Sequence, residues 1–248
     1  MKFKVISVVL QLVGVSLLWS LPVGVLHADS VDATASKVKG EPSYVSPGGG
    51  GAKITPGSSI PVGSTIKTGS SGATGIQLVP GATTVPEANT NVTIKSLTYS
   101  KAADGTVTRH IALDLTKGSI FNSLAKKDGH STFLVYTPMG VAAARGTDWS
   151  ITVTGTGVTI QVLDGSIVFT LPNGTQITIP AGASYDASTN TISNLTDEEK
   201  QEIINAIEQD GGFTLAGGNP ENGPVEYTNG STINPSNISI LPENSQSR

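Results

Sequence analysis

The chain has 248 residues, of which 14% are charged, and it contains no cysteine. Lys and Arg number 15 against 19 Asp and Glu, which gives a formal net charge of −4. Without cysteine there are no disulfides, no thiol nucleophile and no metal site built on thiolates. The negative balance leaves no basic stripe to neutralise phosphates, so we expect no nucleic-acid partner.

The N-terminal residues have the order of a secretory signal. Two lysines among the first four residues precede an apolar run from Val5 to Leu21, Pro22 interrupts it, and small residues follow. This order predicts a signal peptide over residues 1–35, cleaved after Ala33-Thr34-Ala35, with Ala28 as the other candidate site. A retained membrane anchor is the alternative, because the run is only slightly shorter than a membrane span. We therefore expect an exported protein, in the periplasm or cell envelope or secreted, that contacts a membrane only if this segment is uncleaved.

The mature chain divides by composition. Residues 36–59 contain three prolines and the run Gly48–Gly51, which predicts a flexible linker. Over residues 60–187 the pattern changes to period two, as in Trp149, Ile151 and Val153, which alternate with polar residues. One apolar and one polar face per strand is typical of antiparallel strands half covered by a core. We predict an all-β domain over 60–187, a sandwich or barrel, with a β-solenoid as the second choice.

Turn sequences and a short repeat organise this domain. Three turn sequences that need positive φ predict a four-strand meander from Trp149 to Ile179; they are Gly155-Thr156-Gly157, Asp164-Gly165 and Asn173-Gly174. Asp104-Gly105 and Asp128-Gly129 predict two earlier reversals of the chain. The pattern Leu113-x-Leu115-x-x-Gly118-Ser119-Ile120 occurs again from Ile160 to Ile167, with a weaker echo from Ile76 to Ala82. The spacings are unequal, so the pattern indicates a recurring strand–turn–strand unit.

One helix follows the strands. Thr196 and Glu199 have the spacing of a capping box, and an apolar stripe ends before Gly211. We predict a short helix over residues 195–210 that packs on the β domain. Residues 212–248 are rich in Gly, Asn and Pro, which predicts an extended or disordered tail.

The segment Thr137–Trp149, T-P-M-G-V-A-A-A-R-G-T-D-W, resembles the most distinctive motif of the FecR-domain family. Gly63–Gly69 resembles an upstream element, and Asp164-Gly165 and Pro180-Ala181-Gly182 resemble later ones, so the resemblance covers roughly residues 60–187. It implies an extracytoplasmic all-β domain, an antiparallel β-sandwich of jelly-roll-like type. Named members of the family relay the state of an outer-membrane siderophore transporter to a sigma factor. Only four residues precede the apolar run here, so we expect the fold without the cytoplasmic sigma-regulating part.

Arg145 is the candidate binding residue. It is the only charged residue between Ser131 and Thr147, and a guanidinium buried in so apolar a stretch would have to be paired. One interpretation is a structural clamp on a nearby carboxylate, with Gly146 supplying backbone freedom; the candidate carboxylates are Asp148, Asp114 and Asp164. The alternative is an arginine that binds a carboxylate of a partner.

The other candidate residues have structural interpretations. The predicted structural motif consists of Arg145, Gly146, Thr147, Trp149, Asp164 and Gly165. Trp149, in an alternating strand, is interpreted as a core anchor rather than a ligand-stacking platform. His110 and His130 do not have the spacing of metal ligands, so we expect no metal and no cofactor.

Three functions fit these patterns. The first, which we adopt, is a non-catalytic interaction or envelope signalling module that binds an envelope protein. The second is a carbohydrate- or cell-wall-binding sandwich, for which few side chains could stack on a sugar: Tyr99, Tyr136, Tyr185, Tyr227 and Trp149. The third is a hydrolase, which no catalytic motif supports. We therefore predict that the protein is not an enzyme.

Overall fold

The computed structural model describes residues 29–126 and 131–215. Within them the chain forms eighteen strands followed by one helix. In chain order the strands are β1 (Asp29–Ser30), β2 (Ala33–Lys39), β3 (Ser43–Val45), β4 (Gly51–Lys53), β5 (Ser59–Ile60), β6 (Thr65–Lys67), β7 (Ala73–Val79), β8 (Ala82–Pro86), β9 (Asn91–Lys101), β10 (Val107–Leu124), β11 (Thr132–Thr137), β12 (Gly140–Ala144), β13 (Asp148–Val153), β14 (Val158–Asp164), β15 (Ser166–Thr170), β16 (Gln176–Pro180), β17 (Ala183–Asp186) and β18 (Thr191–Asn194).

The strands form two sheets that share β10. The front sheet has the order β4-β3-β6-β9-β10-β11-β12-β15-β16, and β1 also pairs with β9. The back sheet has the order β5-β2-β7-β8-β10-β13-β14-β17-β18. Among these described strands every pairing is antiparallel except that of β10 with β11, which is parallel.

Strand β10 belongs to both sheets because it turns at Gly118. Its residues up to Lys117 pair with β9 in the front sheet, and those from Gly118 onward pair with β13 in the back sheet. Gly118 has a φ of +90°, and a Cβ there would lie 2.5 Å from the Cα of Thr90. Only glycine fits this position, because a residue with a side chain would be strained at that φ and its Cβ would collide with Thr90.

After β10 the chain alternates between the sheets one hairpin at a time. Hairpins β11–β12 and β15–β16 lie in the front sheet, and β13–β14 and β17–β18 lie in the back sheet. The predicted four-strand meander is therefore wrong, since at Gly165 (φ +82°) the chain passes from the back sheet to the front sheet. Gly118 and Gly165 occupy equivalent positions in the two copies of the sequence repeat, so the repeat marks sheet crossings.

The core lies between the two sheets. Phe133 of the front sheet and Trp149 of the back sheet meet edge to face, with ring centroids 5.9 Å apart, and the rings of Phe169 and Tyr185 make a second contact across the core. All four side chains are buried. The all-β prediction, with a single short helix near the C-terminal end of the described chain, is confirmed. Because neighbouring strands pair as hairpins, the second choice of a β-solenoid does not describe this fold.

Residues 36–59, predicted as a flexible linker, contain strands instead. Strands β3 and β4 and parts of β2 and β5 lie in this range, β2 pairs with β7, and Ile54 is fully buried. Of the glycine run, the first three residues form the turn between β3 and β4, and Gly51 begins β4. The Gly and Pro content of residues 36–59 predicts a linker, although a few isolated apolar residues in this range pack against strands distant in sequence. The β domain therefore begins well upstream of residue 60.

The predicted helix is present on the outer face of the back sheet. Helix α1 spans Asp197–Asn205 and continues as a π-helical turn over Ala206–Asp210. The capping box is formed: the Glu199 backbone N–H donates to Thr196 Oγ1 at 3.2 Å, and the Thr196 N–H donates to Glu199 Oε2 at 2.8 Å. Ile203 and Ile207 anchor the helix on Val85 and Phe121.

Several sequence predictions fall outside the described residues. They concern residues 1–28 of the signal segment, the Asp128-Gly129 turn, His130, and the tail after residue 215. In the part of the chain that is described, no helix has the length and apolar character needed to cross a membrane.

The position of Trp149 leads to a prediction about stability. Its side chain is 0% exposed and packs against Phe133, so Trp149→Ala leaves a large cavity in the core. We expect the free energy of unfolding to fall by about 3–5 kcal/mol, measured by urea denaturation. Ile192→Ala is the control, because Ile192 is 51% exposed and its truncation changes stability by less than about 1 kcal/mol. Equal losses for the two variants would contradict this.

Candidate functional site

The predicted structural motif forms a corner of the sandwich. Gly146 (φ +61°) and Thr147 carry the chain from β12 to β13, and Asp164 and Gly165 carry it from β14 to β15. The two crossings touch, because a Cβ on Gly165 would lie 2.5 Å from the Gly146 carbonyl oxygen. Thr147 Oγ1 donates to the backbone oxygen of Ser166 at 3.2 Å. These residues therefore hold two chain crossings together, with Trp149 buried in the adjacent core.

Arg145 does not fill the buried position that the clamp interpretation requires. Its side chain is exposed at the end of β12, so the argument from desolvation is wrong for this residue. Of the candidate carboxylates, Asp164 forms an ion pair with Lys126, Asp148 is buried on β13, and Asp114 lies on the outward side of β10. The interpretation as a residue that binds a partner stays a prediction.

Arg109 is the buried arginine of this fold, and sequence reasoning missed it. It is 6% exposed on β10, where its Nε donates to the Pro80 carbonyl oxygen and its Nη1 donates to Ser131 Oγ at 3.5 Å. Its guanidinium also lies 6.0 Å from the centre of the Tyr99 ring. The alternation along β10 could have identified it, since Arg109 has the same parity as the buried Ile111.

The outer face of the front sheet is apolar at its centre. Leu134 on β11 lies between Ala112 on β10 and Ala143 on β12, and Val168 on β15 continues the row. In the next row, Tyr136 pairs with Val141. All six side chains are half-buried and point away from the core. We call these residues the apolar face: Ala112, Leu134, Tyr136, Val141, Ala143 and Val168.

This arrangement departs from the usual division of an antiparallel sheet. Such a sheet normally turns one apolar face to the core and one polar face to water. Strands β11 and β12 are instead apolar on both faces, because Phe133 and Val135 enter the core while Leu134 and Tyr136 face outward. Leu134 and Tyr136 thus belong to a partly exposed apolar area on the outer side of the sheet.

Basic side chains border the apolar face. Lys67 on β6, Lys95 on β9 and Lys117 on β10 are exposed on the same side of the sheet. The Nζ of Lys95 lies 4.7 Å from the centre of the Tyr136 ring, so this lysine joins the basic and apolar areas by a cation–π contact. Among the outward positions of the described strands β6, β9–β12 and β15–β16, Asp114 is the only carboxylate.

An acidic cleft lies on the opposite side of the molecule, between α1 and the back sheet. It has a volume of about 850 Å³ and is lined in part by Glu87, Glu202 and Asp210. Burial raises the pKa of Glu87 to about 7; the charges of Asp210 and Glu202 act in the same direction and that of Lys39 opposes them. Within the described residues, Glu87 Oε1 is buried with no hydrogen-bond partner.

The structure places few groups where a sugar or a metal could bind. Trp149 and Tyr185 are buried and cannot stack on a sugar, Tyr99 and Tyr136 each lie against a cation, and Tyr227 is outside the described residues. His110 is exposed and shares a hydrogen bond of 2.9 Å with Thr132. Residues 29–126 and 131–215 contain no group of three His, Asp or Glu side chains that could hold a metal ion.

The raised pKa of Glu87 leads to a prediction about pH. The native state holds this proton up to about pH 7, whereas the unfolded chain releases it near the ordinary value of 4.5. The contribution of Glu87 to stability is therefore full below pH 4.5 and is lost as the pH rises to 7. We expect Glu87→Gln to be more stable than the parent protein at pH 8, where Glu87 is ionised, by more than any difference between the two at pH 5. Urea denaturation of both proteins at both pH values measures this difference in the free energy of unfolding.

The control for Glu87 is Glu198→Gln on the exposed side of α1. It removes one carboxylate from the same cleft without removing the half-buried group. If both variants have the pH dependence of the parent protein, the protonation of Glu87 does not affect folding.

Comparisons with known proteins agree with the sequence resemblance. Residues 64–168 match the FecR protein family. No curated protein matches the sequence significantly. Two crystal structures of a candidate anti-sigma factor from Parabacteroides distasonis, at 1.65 and 2.50 Å resolution, are similar with TM-scores of 0.43 and 0.42 at 13% identity. The matches cover 58% of this chain and 65% and 64% of those structures, so the chain spans just under two thirds of their length. The crossover corner and the apolar face both lie within residues 64–168, the part of the chain that matches the FecR family.

Proposed function

We propose that this protein is an exported, non-catalytic FecR-domain module that binds another envelope protein through the apolar face. The observation that carries the proposal is the apolar outer surface of β11 and β12, at a place where an ordinary sheet is polar. The FecR match supports a signalling or regulatory role rather than an enzymatic one. All six residues of the apolar face fall inside the matched range.

A partner that covers the apolar face would gain free energy at little conformational cost. Burial of apolar surface contributes about 25 cal/mol per Å². The face consists mainly of Ala, Val and Leu side chains on paired strands, so few rotamers and no loop have to be ordered on binding. A flat, rigid patch of this kind suits a protein surface of complementary shape.

Export is the second part of the proposal, and the position of β2 bears on the cleavage site. Ala33 and Ala35 are buried and begin a strand that pairs with β5 and β7. Cleavage after Ala35 would remove the start of this strand, whereas cleavage after Ala28 would leave it intact. We therefore favour Ala28, which is the other of the two candidate sites.

This proposal predicts the N-terminus of the mature protein. Intact-mass spectrometry and N-terminal sequencing of the protein from fractionated cells should find a chain that starts at Asp29 outside the cytoplasm. A start at Ser36 would contradict the preference for Ala28. A start at Met1 in the membrane fraction would contradict cleavage and indicate a retained anchor.

The proposed docking surface is tested by cross-linking in living cells. A photo-reactive amino acid at Leu134, in the centre of the apolar face, should yield a cross-linked product with another envelope protein after irradiation. The control position is Thr156, which is exposed in the turn between β13 and β14 on the back sheet. No product from Leu134, or equal products from both positions, would contradict docking at the apolar face.

A further inference from the structure

We infer that the partner presents an acidic surface with an apolar centre to the front sheet. This inference rests on the proposed function and specifies the chemistry of the partner at the same surface. The front sheet is an interaction surface with two adjoining parts, the apolar face over β10–β15 and a basic area over β6–β10.

The sign of the charge on this surface is opposite to that of the whole chain. The chain carries a formal net charge of −4, yet the outward positions around the apolar face have three exposed lysines and one carboxylate, Asp114. The front sheet is thus a basic surface on an acidic protein.

The acidic residues concentrate on the opposite side. The first turn of α1 contains Asp197, Glu198 and Glu199, and the cleft below the helix adds Glu202 and Asp210. This separation gives the molecule a positive front and a negative back. Such a distribution speeds the encounter with a partner of opposite sign and disfavours partners of like sign.

The two areas are close enough to contact one partner. Strands in a sheet lie about 4.8 Å apart, so the apolar face spans about 14 Å from β10 to β15 and the basic area spans about 10 Å from β6 to β10. Lys95 connects them through its contact with Tyr136. The combined width of about 24 Å is comparable with the side of a standard protein interface, which buries about 800 Å² per partner.

The shape of the surface favours a protein over a membrane. Amphipathic elements that enter a bilayer insert protruding Trp, Phe or Leu side chains into the lipid. Here the apolar residues are half-buried between neighbouring strands, and the sheet presents them as a flat patch. A second copy of this chain is disfavoured at the same surface, because its own lysines would meet those of the first copy.

The test uses the full chain with the photo-reactive group at Leu134. Lys95→Glu combined with Lys117→Glu reverses two charges beside the apolar face and should lower the yield of the cross-linked product about tenfold. The yield from the parent protein should also fall as salt is added to isolated envelopes. Lys200→Glu on α1 is the matched control, because it reverses a charge far from the front sheet and should leave the yield within about twofold.

Thermal unfolding of each purified variant establishes that it is folded before the yields are compared. The cross-linked site on the partner, mapped by mass spectrometry, should lie among Asp and Glu residues. A yield unchanged by the double lysine reversal, or a site among basic residues, would overturn the inference and leave the docking surface in place.

Two further outcomes would identify a different occupant. A cross-linked product with twice the mass of this chain would replace the acidic partner with a second copy. Co-sedimentation of the purified chain with phosphatidylglycerol vesicles, abolished by the double lysine reversal, would replace it with a membrane. The absence of any product from Leu134 would instead contradict the proposed function itself.

Discussion

Strand β10 passes from the front sheet to the back sheet without interruption, because Gly118 adopts a φ of +90° where Thr90 leaves no room for a side chain. Its first part pairs with β9 and β11 and its second part with β8 and β13. Both sheets are therefore built outward from one strand. The position of the core, the alternation of the later hairpins and the exposure of the apolar face all follow from this arrangement.

The Arg-Gly-Thr motif and the proposed interaction surface have separate roles in one continuous segment of the chain. The Arg-Gly-Thr sequence turns the chain at a corner, where Thr147 and Gly165 secure two crossings. That corner fixes where β12 ends and which of its residues face outward. The apolar face depends on this register, because a shift by one residue would exchange the inward and outward side chains of the strand.

Period-two alternation and turn residues were sufficient to predict strands β13 to β16, and the capping box was sufficient to predict α1. Three features could not be predicted from local pattern. The strands within residues 36–59 depend on partners distant in sequence, and the crossing at Gly165 has the same turn residues as a hairpin. Strands β11 and β12 are apolar on both sides, so they have no alternation that would reveal an outward apolar face. The isolation of Arg145 in an apolar stretch predicts burial, yet its side chain is exposed; strand parity decides which side chain enters the core, and on β10 it selects Arg109.

Because β10 belongs to both sheets, it also determines when the edge strands of the folding chain become covered and can no longer pair with other molecules. Before β10 is available, β8 and β9 are open edges, one in each nascent sheet, and open edges are templates for pairing between molecules. A single strand then covers both edges at once. The partly formed sandwich is therefore most prone to aggregation after β9 has been synthesised and before β10 has. The short turn at Asp104-Gly105, which joins the two strands, keeps this interval brief.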